Sequence, residues 1–147
     1  MSGQGMSDHR KVGITFGAFD LCHAGHVTMF ADCKRFCDYL IVGLQSDPSI
    51  ERPSKNKPVQ TLYERYVQLS AIKYIDEIIP YTYENEIIQI MMTRDVDARF
   101  IGADYIGKDF TGKEYCMDRQ IEIIFNNRDH PFSTTELRKR IQDNPSK

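Results

Sequence analysis

The sequence predicts an α/β protein with a single Rossmann-like, doubly wound parallel sheet of about five strands flanked by helices. Short apolar runs alternate along the chain with amphipathic stretches, which is the order of repeated strand and helix units. The runs are apolar throughout, as in strands covered by helices on both faces. With 147 residues, we expect one domain over 11–147 that follows a polar tail at 1–10.

Each element follows from a local pattern. Strands are expected where the apolar runs lie, at 11–16, 39–44, 76–81, 98–103 and 121–127. Helices are expected at 26–37, from Thr61 to about Lys73, at 85–94, and from Ser133 to about Ile141. The second and fourth of these begin at S/T-x-x-E capping boxes. A polar loop with three prolines fills 45–60, and a further loop is expected at 107–112.

Charge and composition narrow the function. Lys and Arg number 19 against 21 Asp and Glu, a formal charge of −2, which argues against a nucleic-acid or membrane-surface binder. No apolar run approaches the roughly 18 residues of a membrane span, and the N-terminus lacks a signal-peptide pattern, so we expect a cytoplasmic protein. The four cysteines form no CxxC pair and are expected to be reduced, with Cys33 and Cys37 buried.

The loop after the first strand carries the strongest chemical signal. Ligands of doubly wound sheets bind beyond the carboxyl ends of the strands, and this loop holds His23 and His26 at a helix start. A helix N-terminus presents unpaired N–H groups and partial positive charge, which suits a phosphate, and Gly17 and Gly25 allow close approach of an anion.

Two other interpretations of the histidine pair remain open. The rings could be hydrogen-bonded capping groups without a catalytic role, or they could join Cys22 in a zinc site. The position directly after the first strand favours phosphate binding over capping alone, and a thiolate beside a nucleotide has no evident role. We therefore expect no dedicated metal site.

Two segments resemble the signatures of one family. Residues 17–27, GAFDLCHAGHV, resemble the HxGH segment of the nucleotidyltransferase superfamily in its cytidylyltransferase form, G-T-F-D-L-x-H-x-G-H. Residues 128–135, RDHPFSTT, resemble the second signature, R-T-E-G-x-S-T-T, at its Arg, Ser and two Thr positions. The stretches YLIVGLQSD, IKYIDEIIP and FIGADYIGK between them are similar to the small bacterial glycerol-3-phosphate cytidylyltransferases.

The resemblance implies transfer of CMP from CTP to a small phosphorylated polyol, with glycerol-3-phosphate as the leading acceptor and pyrophosphate as the leaving group. His23 and His26 would donate to phosphate oxygens in the transition state, and Arg128 would hold the β- and γ-phosphates. Either Lys55 or Lys57 would close on the α-phosphate. The resemblance also implies CTP bound with Mg²⁺, and a homodimer.

Further site residues come from the same resemblance, position by position. The expected nucleotide-binding residues are Gly17, Ala18, Phe19, Gly25, Asp104, Arg128, Ser133 and Thr134. Asp47 and Arg65 are assigned to the acceptor side, although a nucleotide contact or a surface position is also open for Arg65. Asp20 is expected to be structural.

This chain departs from the family pattern in four places, and rival functions remain. Ala18 replaces the usual Thr, and Asp129, His130 and Pro131 replace Thr, Glu and Gly of the second signature. The alternatives are an enzyme for another phospho-alcohol or a heptose-type sugar phosphate, one that uses ATP, and a nucleotide-binding regulator without turnover.

Overall fold

Five parallel strands form one sheet, as the sequence predicts. The computed structural model describes residues 9–127 and 133–144. The strands are β1 (Val12–Gly17), β2 (Tyr39–Gln45), β3 (Glu77–Tyr81), β4 (Ala98–Gly102) and β5 (Glu122–Asn126). The helices are α1 (Ala24–Lys34), α2 (Leu62–Ser70), α3 (Asn85–Arg94), α4 (Lys113–Asp118) and α5 (Thr134–Asp143), and a 3₁₀ turn covers Ala103–Tyr105.

The order of the strands creates a crevice beside β1. The sheet runs β3-β2-β1-β4-β5, so the chain first moves outward from β1 to β3 and then returns to place β4 on the other side of β1. Gly13 and Ile14 of β1 pair with Ala98 and Arg99 of β4. The carboxyl ends of β1 and β4 therefore form the switch point at which doubly wound sheets bind ligands.

Side chains on the two faces of the sheet build two separate cores. One contains Ile14, Ile41, Ile87 and Met91, and α3 and α4 cover it. The other contains Phe30, Leu40, Val42, Leu69 and Phe100, and α1 and α2 cover it. Because successive strand residues point to opposite faces, β2, β3 and β5 contribute side chains to both cores.

Some boundaries differ from the sequence prediction. Helix α1 begins at Ala24 and ends at Lys34, earlier at both ends than the predicted 26–37. Helix α4 was not predicted, because its six residues are too few for a periodic pattern and only Cys116 among them is buried. His9 and Arg10, assigned to the tail, contact Asp97 and the ring of Tyr39.

The predicted burial of two cysteines can be compared with the structure. Cys33 is fully buried and Cys37 is 7% exposed, which confirms the prediction for this pair. All four cysteines, which lie in the described part of the chain, are thiols rather than disulfides. None of the helices in residues 9–127 and 133–144 has the length and apolar character to cross a bilayer.

Candidate active site

A cavity of about 660 Å³ opens at the switch point. Its walls come from the carboxyl ends of all five strands, from the start of α1, and from the start of α5. Among the predicted site residues, it contains Gly17, Phe19, His23, Gly25, His26 and Ser133. The cavity is large enough for a nucleotide and a small second substrate together.

The two histidines form a capping box at the start of α1. His23 is the N-cap residue, and its Nδ1 accepts a hydrogen bond of 3.0 Å from the main-chain N–H of Gly25. His26 Nδ1 in turn accepts a 3.2 Å hydrogen bond from the N–H of His23. The H-x-x-H spacing therefore serves the same function as S/T-x-x-E in an ordinary capping box. The prediction that the two histidines cap the helix is confirmed.

This capping arrangement also selects the tautomer of each ring. A ring nitrogen that accepts a hydrogen bond carries no proton, so in the neutral imidazoles of His23 and His26 the proton resides on Nε2. The rings lie side by side with centroids 4.0 Å apart, and both line the cavity. The cap thus orients two Nε2–H donors as a rigid pair, which is the requirement for stabilising charge on phosphate oxygens.

Phe19 packs between the histidine pair and the core. Its ring meets His26 edge-on at a centroid distance of 5.8 Å and packs on Phe30 of the core at 5.2 Å. A Cβ at Gly17 would lie 3.0 Å from the Phe19 ring, so a larger residue there would push the ring by a few tenths of an ångström. Phe19 has a positive φ of 49°, a backbone conformation that the close packing around it maintains.

Asp20 has the structural role expected of it. Its carboxylate accepts hydrogen bonds from the main-chain N–H groups of Val59 and Gln60, at 2.8 and 2.9 Å. The Gln60 side chain accepts another from Leu21 N. These bonds join the loop after β1 to the end of the proline-rich loop, so the two segments form one unit beside the cavity.

Arg65 is buried, which corrects one prediction. Its side chain is among the largest fully buried ones, so the surface alternative is wrong. The guanidinium donates to four main-chain carbonyl groups: those of Gln60, Ala18, Gln45 and Ser46, at 3.2, 2.9, 2.6 and 2.6 Å. Because these carbonyls belong to the loops that follow β1 and β2 and to the residue before the cap of α2, Arg65 holds three segments together.

The two residues assigned to the acceptor, Asp47 and Arg65, line a second, smaller cavity together with Lys57, which was assigned to the α-phosphate. The volume of this cavity is about 240 Å³. Hydrogen bonds from Ser49 hold the pKa of the Asp47 carboxyl below its usual range. Lys55 is exposed and lines neither cavity. The histidine pair thus lines the main cavity, Lys57 lines the smaller one, and Lys55 lines neither.

The second signature is described in part. Arg128 lies outside the described residues. Ser133 is the N-cap of α5, where its hydroxyl accepts a 2.9 Å hydrogen bond from Glu136 N, and it faces the main cavity together with Thr135. Thr134 is the first residue of α5. The start of a second helix thus joins the start of α1 at the same cavity.

Two predicted nucleotide contacts lie away from the cavity wall. Ala18 uses its carbonyl to bind Arg65 and does not line the cavity. Asp104 is exposed in the 3₁₀ turn that follows β4. Neither placement joins these residues to the histidine pair, and their contact with the nucleotide stays a prediction.

Sequence reasoning missed the polar groups on the other side of the same cavity. Arg99 is buried in β4, and Tyr81 is buried at the end of β3, where burial raises its pKa. Arg52 forms a 3.5 Å ion pair with Glu84, which ties the proline-rich loop to the start of α3. Arg99 could have been found from the sequence, because it is a charged residue within an apolar strand run. No local sequence pattern indicates the Arg52–Glu84 pair.

The described residues contain no group of three or more His, Cys, Asp or Glu side chains arranged to hold a metal ion. Cys22 is half-buried, and burial raises the pKa of its thiol. A divalent ion that is held mainly by phosphate oxygens needs few ligands from the protein.

Two helix starts and a pair of oriented histidine donors at a sheet switch point define a nucleotide-binding α/β domain built to handle phosphate groups. Comparison with known proteins identifies the family to which this domain belongs. The chain belongs to the cytidylyltransferase-like family, whose model matches residues 14–140.

Individual relatives differ in how much of their length they share. Glycerol-3-phosphate cytidylyltransferase of Bacillus spizizenii is 34% identical over 86% of this chain and 93% of its own length. The bifunctional protein HldE of Paramagnetospirillum magneticum is 44% identical over 48% of this chain, but the match spans only 14% of that longer protein. The crystal structure of a lipopolysaccharide core biosynthesis protein from Thermoplasma volcanium has a TM-score of 0.65 over 84% of this chain and 100% of that chain, at 20% identity, and shows the fold alone.

Proposed function

We propose that the protein transfers CMP from CTP to the phosphate of a small phosphorylated polyol, with glycerol-3-phosphate as the preferred acceptor. The observation that carries this proposal is the pair of Nε2–H donors fixed by the histidine capping box at the switch point. The full-length similarity to a glycerol-3-phosphate cytidylyltransferase supports the choice of nucleotide and acceptor.

The reaction joins two phosphates and needs no strong base. An oxygen of the acceptor phosphate, already an anion, forms a bond to the α-phosphorus of CTP, and the bond from that phosphorus to the α,β-bridging oxygen breaks. Pyrophosphate leaves with the electron pair, and the CDP-alcohol remains. Because the nucleophile is ionised before attack, the protein must mainly hold anions together and stabilise the charge that grows on the transferring group.

His23 and His26 carry that task in this proposal. Their Nε2–H groups donate to oxygens of the α-phosphate and the leaving group, while the main-chain bonds to Nδ1 keep both rings in the donor tautomer throughout the reaction. The partial positive charge at the start of α1 adds to their effect. Gly17, Phe19 and Gly25 form the adjoining wall for the nucleotide.

The other expected site residues complete the proposal. Arg128, Ser133, Thr134 and the N-terminal turn of α5 hold the β- and γ-phosphates, and Ala18 and Asp104 contact the nucleotide. Lys55 or Lys57 closes on the α-phosphate. CTP arrives with Mg²⁺, which neutralises phosphate charge while its ligands come mainly from the nucleotide itself. Asp47 acts on the acceptor side, and Arg65 positions the loops around it.

The direct test is pyrophosphate release with CTP or ATP and a panel of acceptors. Glycerol-3-phosphate, phosphoethanolamine, a heptose phosphate and unphosphorylated glycerol would each be supplied with Mg²⁺. We expect release with CTP and glycerol-3-phosphate and none with glycerol. Binding of CTP without release for any acceptor would contradict the enzyme and favour the regulator. Release with ATP alone would contradict the nucleotide assignment.

A second candidate is the same transfer to another phospho-alcohol, including a heptose-type sugar phosphate. The observation in its favour is the 44% identity to HldE, which exceeds the identity to the glycerol-3-phosphate enzyme although it covers less of the chain. In the panel above, this candidate predicts a higher kcat/KM for the sugar phosphate than for glycerol-3-phosphate.

The assembly and location are proposed with the activity. Exposed apolar side chains on α1 and α2, among them Val27, Tyr63 and Val67, support a homodimer, since such groups on neighbouring helices are suited to an interface. Sedimentation equilibrium tests this, and a monomer at micromolar concentration would contradict it. We place the enzyme in the cytoplasm, with residues 11–147 as its catalytic domain.

A further inference from the structure

Arg99 is a buried cation without a matching anion. It lies in β4, is 4% exposed and lines the main cavity. Its Nη1 donates a hydrogen bond to the main-chain carbonyl of Thr111, and Nε has no hydrogen-bond partner in the described part of the chain. A buried charge and a buried unpaired N–H are both costly, so a side chain of this kind needs an explanation.

Arg65 offers a comparison within the same protein. Both arginines are buried, but Arg65 donates to four carbonyl groups, including one from Nε. Its position is therefore explained by the chain itself. Arg99 differs because it has one carbonyl acceptor and a hydrogen bond with the Cys116 thiol, while its Nε has no acceptor among the described residues.

The surroundings hold the Arg99 guanidinium in place. The rings of Phe16 and Phe110 lie 5.1 and 4.9 Å from it, measured from Cζ to the ring centroids. A Cβ at Gly112 would be 2.8 Å from Nη1, and Gly112 has a φ of 86°, so the main chain closes on this side chain as only glycine allows. Such packing positions a charged group firmly, as a binding site requires.

No carboxylate neutralises Arg99 within residues 9–127 and 133–144, because none of the ion pairs there includes it. Glu84 lines the same part of the cavity, but its oxygens accept from Thr111 Oγ1 at 2.9 Å and pair with Arg52 at 3.5 Å. The Cys116 thiol and Tyr81 are the other titratable groups beside Arg99, and burial outweighs them all and lowers the pKa of the guanidinium.

Arg99 and the histidine pair approach the cavity from opposite faces of the sheet. Ala98 and Phe100 belong to the core under α1, so Arg99 between them points to the other face, where Ile87 and Tyr81 lie. The cavity lies at the carboxyl ends of the strands, and residues from both faces of the sheet line it. Two anions that must react can therefore be held from two sides.

We propose that Arg99 binds the phosphate of the acceptor and thereby makes the enzyme specific for phosphorylated alcohols. This rests on the proposed function. Arg99 lines the cavity, Phe16 and Phe110 pack against its guanidinium, and the acceptor phosphate supplies the missing negative charge. The histidines hold the α-phosphate of CTP from the other face.

The first test compares Arg99→Met and Arg99→Lys with the wild type in steady-state kinetics. We expect the KM for glycerol-3-phosphate to rise at least roughly 30-fold in Arg99→Met and less in Arg99→Lys, with the KM for CTP within about threefold of wild type. Arg94→Met is the matched control, because Arg94 is an exposed arginine of α3 paired with Glu77. It should leave both KM values unchanged.

The second test uses the wild-type protein and so remains informative if Arg99→Met does not fold. Nε–H resonances of the arginines are followed by ¹⁵N NMR while glycerol-3-phosphate is added, with and without α,β-methylene-CTP. The Arg99 signal should shift on addition of the acceptor, and the Arg65 signal, already bonded to Gln60 O, should not. Glycerol alone should shift neither.

The possible results separate the two proposals. The role of Arg99 would be overturned, and the reaction left intact, if the wild type is active but its Arg99 resonance does not shift on addition of acceptor. The same conclusion would follow if the KM for the acceptor is the same in the wild type and in Arg99→Met. A selective rise of the KM for CTP in Arg99→Met would also overturn it and assign Arg99 to the cytosine oxygen and ring nitrogen instead. A wild type that releases no pyrophosphate with any acceptor contradicts the proposed function itself.

Discussion

Replacing His23 by Ser separates the two functions that the structure gives to this residue. As N-cap of α1, His23 accepts a 3.0 Å hydrogen bond from Gly25 N, and a serine hydroxyl can accept the same bond. Serine is among the best N-cap residues, so the stability of the helix should change by less than about 1 kcal/mol. What serine cannot supply is the Nε2–H donor of the imidazole at the cavity wall.

The size of the expected loss follows from the role of that donor. Removing one preorganised donor to developing negative charge lowers kcat by about 100- to 1000-fold, equivalent to about 3–4 kcal/mol of transition-state stabilisation. We therefore expect His23→Ser to lose this much in pyrophosphate release at saturating CTP and acceptor. Its melting temperature should stay within about 4 °C of wild type.

His23→Ala provides the matched comparison, since it removes both the cap and the donor. Its kcat should fall as far as that of His23→Ser, while its free energy of unfolding falls by a further 0.5–2 kcal/mol, roughly the cost of a lost N-cap. If His23→Ser kept more than about a fifth of the wild-type kcat, His23 would be a capping residue only, and its role as a transition-state donor would be refuted.

Three further predictions concern buried and loop residues. Arg65→Met should lower the free energy of unfolding by about 3–5 kcal/mol in chemical denaturation, because four carbonyls in buried or half-buried surroundings lose their donor. Burial raises the pKa of Cys33 from 9.0 to about 12. Between pH 9 and pH 12 the folded state therefore keeps the thiol proton of Cys33, whereas the unfolded chain releases it. The resulting stability is complete below pH 9 and declines by about 1 kcal/mol per pH unit toward pH 12, and Cys33→Ala should show a shallower decline in urea titrations. Of Lys55→Met and Lys57→Met, one should lower kcat at least about tenfold while the other stays within about twofold, as measured by pyrophosphate release.

The Arg65 prediction has a matched control, and each of the three predictions has its own contrary outcome. Arg35→Met changes an 80% exposed side chain and should cost less than about 0.5 kcal/mol. Wild-type stability of Arg65→Met with a raised acceptor KM would restore the acceptor assignment of Arg65. Equal alkaline slopes for wild type and Cys33→Ala would show that another group titrates. Unchanged kcat in both lysine variants would remove the proline-rich loop from the reaction.

The fold was predictable because its signals are local. Five apolar runs and two capping boxes determine where strands and helices begin, and Thr61 and Glu64 form both bonds of the first box at 3.1 and 2.8 Å. Helix α4 escaped prediction since six residues following a glycine with positive φ carry no periodic signal.

The site was predictable only where its chemistry is contained in a motif. The spacing of His23 and His26 indicated a shared face, and the structure adds that they cap the helix and each other. Arg65 and Arg99 depend on contacts between residues far apart in sequence: Arg65 donates to a carbonyl 47 residues away, and Arg99 lines a cavity to which all five strands contribute. A single sequence contains neither fact, because both follow from how the strands are ordered.

Transfer to the acceptor phosphate at the histidine pair can be followed by ³¹P NMR, using CTP, Mg²⁺ and glycerol-3-phosphate labelled with ¹⁸O in its phosphate. We predict equal amounts of pyrophosphate and a CDP-alcohol whose bridging oxygen carries the label, formed by wild type and nearly lost in His23→Ser. Release of CMP without a labelled bridge, or equal rates for wild type and His23→Ser, would contradict this mechanism.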